Sequence, residues 1–182
     1  MNSDEKGVLL DIARNSIKAA IQGIPIDLTH FQVNAQESNK EHGVFVTLRT
    51  AGKLRGCIGQ LVSRKPLGEL VSEMAVSAAL EDTRFEKNRI AINELDDLEI
   101  EISLLSPLQR IANPLEFELA RHGVYIKRGR KNGCFLPQVA SETGWSKEEF
   151  LTQCCQGKAG LPPDAWKDKA TEVYVFTVDI IS

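Results

Sequence analysis

Leu9, Ile12, Ala13, Ser16, Ile17 and Ala20 recur at three- and four-residue spacing, which puts them on one face of a helix. Ser3 is placed to cap that helix, with Asp4 and Glu5 at the positive end of its dipole. Gly23 and Pro25 end it. From about Pro25 to Glu41 the chain is polar and irregular and reads as a surface connection. Val44 to Arg49 reads as a strand, Thr50-Ala51-Gly52-Lys53 as a turn and Leu54 to Leu61 as a second strand, so a hairpin is predicted. Pro66 suits the first turn of a further helix, whose buried face is Leu67, Leu70, Val71, Met74, Ala75 and Ala78.

The period then changes. Leu98, Ile100, Ile102 and Leu104 alternate with Glu99, Glu101 and Ser103, which predicts a strand with one buried face, stopped by Pro107. Gly123 to Lys127 and Cys134 to Leu136 read as short strands around a basic turn. Lys147 to Gln156 reads as a helix capped by Ser146. Thr171 to Ile181, apolar on both faces for much of its length, reads as one well-covered strand. Strands come in local pairs, and helices fall between groups of strands. The expected class is therefore α+β, a mixed or antiparallel sheet with flanking helices, in one domain spanning residues 1–182.

Composition narrows the function classes. With 42% hydrophobic and 26% charged residues, the chain can bury a core without metal or disulfide staples. A net charge of -3 provides no basic excess to recruit nucleic acid or an anionic membrane. The run Lys127-Arg128-Gly129-Arg130-Lys131 reads as a solvated turn. No stretch approaches the ~20 apolar residues of a membrane span. Asp4 and Glu5, with no apolar run after them, argue against a secretory signal, so a cytoplasmic location is expected. Cys57, Cys134, Cys154 and Cys155 form no Cys-x-x-Cys pair, and His30, His42 and His122 are scattered, so no metal or other cofactor is expected.

The segment Leu54-Arg55-Gly56-Cys57-Ile58-Gly59 holds the densest candidate chemistry. In a regular strand Arg55 and Cys57 share a face, where a guanidinium favours the thiolate and binds anions. Gly56 and Gly59 remove side chains beside the thiol, which permits close approach of a ligand. The plainer alternative is an inert cysteine in a glycine-containing hairpin. Arg84 is either an anion clamp or the partner of Asp82 in an end-of-helix motif. Glu101, paired with Glu99 along one strand face, is either an acid–base group or part of a wet sheet face. His122 is either a base or a turn residue before Gly123. Lys158 fits a helix C-terminal cap better than an anion site.

Leu54-Arg55-Gly56-Cys57-Ile58-Gly59 resembles the signature hexapeptide of the AMMECR family, whose bacterial and archaeal members are called AmmeMemoRadiSam system protein A. The similarity continues through Asp82-Thr83-Arg84-Phe85, Glu101 to Pro107, His122-Gly123-Val124, Leu136 to Ala140 and Lys158-Ala159-Gly160-Leu161. The resemblance implies a larger and a smaller lobe with a cleft between them, and the hexapeptide near that cleft. It implies no settled activity. The system name implies a Memo-like protein and a radical S-adenosylmethionine enzyme as partners, beside an unknown small-molecule ligand. Two readings follow: an enzyme with a nucleophilic or redox Cys57 in the cleft, or a non-catalytic binding or adaptor module. In the first, Glu101 or His122 relays protons, and Arg55, Gly56, Gly59 and Arg84 hold the substrate.

Overall fold

The computed structural model describes residues 1–31, 33 and 41–182. The expected connection between Pro25 and Glu41 lies partly outside the described residues. The chain divides into two compact units, Met1–Leu105 with Asp179–Ser182, and Ser106–Val178.

The first unit is built on α1 (Ser3–Gln22), β1 (His42–Thr50), β2 (Lys53–Ser63), α2 (Leu67–Leu80) and β3 (Leu98–Leu105). Asn2, rather than Ser3, caps α1. Its side chain accepts from the Glu5 N–H while the Glu5 carboxylate accepts from the Asn2 N–H, a reciprocal capping box. Gly23 closes the helix at φ 68°. Ala51 and Gly52, both at positive φ, make the β1–β2 turn. β1 is antiparallel to both β2 and β3, and the sheet order is β2-β1-β3-β8, with β8 (Val178–Ile181) returning from the end of the chain.

Residues directly opposite in antiparallel strands share a face, which sorts this sheet cleanly. Val44, Val46 and Leu48, with their partners Leu104, Ile102 and Ile100, face α1 and α2 and form the core with Leu9, Ile12, Ile17, Leu70 and Val71. Phe45, Thr47 and Arg49, with Ser103, Glu101 and Glu99, take the other face. Ser16 and Ser72 satisfy each other across the buried helix contact at 2.8 Å.

The second unit carries β4 (Gln109–Ile111), β5 (Gly123–Arg128), β6 (Lys131–Phe135), α3 (Pro137–Thr143), α4 (Lys147–Gln153) and β7 (Glu172–Phe176). Its sheet, ordered β4-β7-β5-β6, is antiparallel throughout. Val124, Ile126, Val173 and Val175 pack on Phe150, Leu151, Cys154 and Cys155. Ser146 caps α4 in a capping box with Glu149. The helix then widens into a single π turn, Cys154–Lys158.

Helices with two antiparallel four-stranded sheets make this an α+β fold. The C-terminal strand is the main correction. Thr171 to Ile181 is not one covered strand: it breaks at Thr177, so that β7 pairs in one sheet and β8 in the other, where Ile180 is 38% exposed. Apolar residues on successive positions serve two sheets here rather than two faces of one.

Candidate functional site

β2 is an edge strand, and the hexapeptide lies within it. Its register against β1 pairs Leu54 with Arg49 but Gly56 with Leu48, so Arg55 is the extra residue of a β-bulge. The bulge breaks the alternation that would put Arg55 and Cys57 on one face. Cys57 lies opposite Thr47, whose own partner on β3 is Glu101. Cys57, Thr47 and Glu101 therefore form one row on the face away from the helices. Arg55 turns instead toward Thr50, Asn88 and Glu94.

Arg55 is only 9% exposed. Both of its terminal nitrogens donate to the Glu94 carboxylate, and one also reaches the Asn88 carbonyl at 3.3 Å. That fork holds the Glu94 carboxyl below its usual range, helped by the Ala91 N–H. The guanidinium is thus committed to structure on the side opposite the thiol.

The free edge of β2 at Cys57 is closed by two side chains from the turn after α2. The Asp82 carboxylate accepts the Cys57 N–H at 2.9 Å, and the Arg84 guanidinium donates to the Cys57 carbonyl at 3.1 Å. Arg84 also donates to both Asp82 oxygens, at 2.9 and 2.6 Å. The Asp82 side chain is 4% exposed and that of Arg84 57%. Hydrogen bonds from Arg84, with those from two backbone N–H groups, hold the Asp82 carboxyl at about 2 against an ordinary 3.8, although burial works the other way. Asp82 and Arg84 supply the donor and acceptor that a neighbouring strand would otherwise supply. Phe85 lies half-buried, not in the core, with the Arg84 guanidinium 5.6 Å from its ring centre.

The Cys57 thiol is half-buried and accepts from the Thr47 hydroxyl at 3.4 Å. Glu101 stands two strand spacings from Cys57, about 10 Å. The glycines have packing reasons. A Cβ on Gly56 would lie 1.9 Å from the Ala78 carbonyl oxygen of α2, so the glycine lets the helix sit directly on the strand. A Cβ on Gly59 would lie 2.3 Å from the ring of Phe45, its cross-strand partner. His122 belongs to the second unit, where its Nδ1 accepts the Glu118 N–H at 3.0 Å in the turn before β5. Burial raises the Cys134, Cys154 and Cys155 thiols above their ordinary value.

The hexapeptide thus contributes a thiol facing one way and a buried cation facing the other, and Asp82 and Arg84 brace the strand between them. Sequence reasoning missed Thr47 and Glu94. The alternation of β1 puts Thr47 in line with Cys57 once the hairpin register is known, whereas Glu94 lies 39 residues from Arg55 with no local signal. Among the described residues, no three His, Cys, Asp or Glu side chains are grouped to hold a metal ion. No helix among them is long and apolar enough to cross a membrane.

The AMMECR1 family model matches residues 10–181. A protein of Methanothermobacter thermautotrophicus is 40% identical over 191 residues, covering 99% of this chain and 95% of its own. Protein NEQ441 of Nanoarchaeum equitans is 38% identical, covering 92% of this chain and 94% of its own. The crystal structure of uncharacterized protein PH0010 from Pyrococcus horikoshii superposes with a TM-score of 0.84 at 35% identity, covering 99% of this chain and 92% of that one. With the family model matched over nearly its whole length and its fold shared with PH0010, the chain belongs to the AMMECR1 family.

Proposed function

We propose that this chain is a non-catalytic binding module, whose recognition surface is formed by the half-buried Cys57 and Glu101 with the exposed Arg84 at its edge, the buried Thr47 between them holding the thiol. One observation carries the reading: the hexapeptide's own cation is turned away from Cys57, and the cation that does meet Cys57, Arg84, is shared with Asp82. Arg55 is neutralised by Glu94 on the far side of the bulge, and Arg84 is tied to Asp82 and to the Cys57 carbonyl. Among the described residues no hydrogen bond joins Glu101 to the Cys57 thiol, whereas general-base catalysis needs hydrogen-bond reach. A braced strand with a mixed polar and apolar outer row suits recognition, where rigidity lowers the entropic cost of binding. The partner classes implied by the family's system name, a Memo-like protein and a radical S-adenosylmethionine enzyme, are the first to test.

The hydroxyl that Thr47 directs at the Cys57 sulfur favours a second reading, a thiol enzyme whose base comes from the substrate or a partner. Two measurements separate them. Co-elution of the chain with a purified Memo-like protein should survive Cys57→Ser and be lost with Glu101→Lys, both variants keeping the wild-type melting temperature. Alkylation of Cys57 by iodoacetamide at neutral pH, followed by mass spectrometry, should run no faster than that of free cysteine. A thiol reacting much faster than free cysteine, with Cys57→Ser abolishing a measured turnover, would replace the binding reading with the enzymatic one.

A further inference from the structure

In the second unit, a depression of about 400 Å³ lies between the short edge strand β4 and the turn that leads into β7. That volume falls within the range of small-molecule sites. Its lining combines three cations, Arg110, Lys167 and Lys169, with an apolar floor that includes Pro114 and the indole of Trp166. The one carboxylate in the lining, Asp168, is held by Arg128 at 2.8 Å.

The cations are incompletely neutralised. Arg110 reaches Glu172 only at 3.9 Å, and Lys167 pairs with the exposed Asp164. Among the described residues, Lys169 has neither a hydrogen bond nor an ion pair. A second observation is independent of charge. Thr171 lines the same depression and is 8% exposed, and its hydroxyl is buried with no hydrogen-bond partner. A buried hydroxyl without a partner costs stability, and this one has no surface open to the depression, which meets Thr171 through its other atoms. The Trp166 N–H is already satisfied by Thr152 at 3.1 Å, and the Lys167 ammonium lies 5.1 Å from the indole centre, so the largely buried ring meets the depression as an apolar edge beside a cation.

We propose that this depression binds a small organic anion, its charged group met by Lys169 and Arg110 and its apolar body seated against Trp166 and Pro114. Charge-assisted bonds hold the head, and apolar burial selects an organic anion over a bare one. The site lies wholly within the second unit and is independent of the surface around Cys57.

The test is calorimetric titration of the full chain with phenyl phosphate and with benzoate, and with inorganic phosphate as the probe lacking an apolar body. Saturable binding of either organic anion is expected, at least about tenfold tighter than inorganic phosphate. The tighter of the two identifies the head group as phosphate or carboxylate. Lys169→Glu should weaken that binding by about tenfold or more. Thr171→Val should raise the melting temperature of the free chain, by removing the unsatisfied hydroxyl, while leaving binding unchanged. Amide shifts on titration should centre on residues 110 and 166–171. Absence of saturable binding by both organic anions overturns the proposal, as does binding that Lys169→Glu does not change. Equal affinity for inorganic phosphate removes the apolar half of the site and overturns the assignment to an organic ligand.

Discussion

The carboxylate of Asp82 binds the backbone N–H of Cys57 at 2.9 Å, and this bond ties the turn after α2 to the free edge of β2. Arg84 completes the tie by donating to the Cys57 carbonyl. The segment Asp82-Thr83-Arg84 therefore braces the strand that carries the thiol, and the two sequence motifs form one structural unit.

Removal of Asp82 should cost more than removal of Arg84. Asp82→Ala leaves the Cys57 N–H without its acceptor and should destabilise the fold by about 3 kcal/mol. Arg84→Ala removes a side chain that is more than half in water, and the two backbone N–H donors to Asp82 remain, so about 1 kcal/mol is expected. Urea midpoints of the two variants check the order.

Acid should weaken the same brace. The Asp82 carboxyl titrates at about 2 in the folded chain and near 3.9 when unfolded. The folded value is the lower, so the stabilisation is complete above the unfolded value and is lost as pH falls through the folded one. Glu94, lowered by its bonds from Arg55, acts in the same direction. Stability of the wild type should therefore fall between about pH 5 and pH 2. Asp82→Asn should be less stable than wild type at neutral pH, and the gap should narrow across that window in denaturant titrations.

The ion pair behind the bulge predicts an asymmetry. Glu94→Ala strands the buried guanidinium of Arg55 and should cost about 3 kcal/mol. Arg55→Met removes the buried charge itself and leaves Glu94, which is 28% exposed, able to hydrate, so its cost should be the smaller. Thermal melts of both single variants measure the difference.

Substitution of the hexapeptide glycine should act on the fold. Gly56→Ala sets a methyl group against the Ala78 carbonyl, a backbone atom that cannot move alone, and should cost about 3 kcal/mol or more. Gly7→Ala, in the exposed face of α1 with no neighbour within 4 Å, should instead stabilise by about 1 kcal/mol. If Gly56→Ala folds with wild-type stability, the packing account of this glycine is wrong.

Local periodicity was enough to read much of the fold. The 3.6-residue repeat of Leu9 to Ile17, the alternation from Leu98 to Leu104 and the turn at Ala51-Gly52 each depend on neighbours within a few residues, and each element stands where those patterns put it. The cap on α1 moved by one residue because Asn2 and Ser3 are both capping residues, and the reciprocal bond with Glu5 selects Asn2. The pattern from Thr171 to Ile181 does not show the break at Thr177, because hydrophobicity reports burial, not which sheet does the burying. At the candidate site the sequence reading groups Cys57 and Arg55 on one face with Arg84, Glu101 or His122, but it does not give their directions, and His122 belongs to the second unit. One bulged residue reverses the face of a side chain, and that bulge exists only in the register between β1 and β2. The acceptor for Arg55 and the helix carbonyl over Gly56 come from segments 39 and 22 positions away. Only the packed tertiary structure brings such distant groups together, because no local pattern encodes which segment will lie against which.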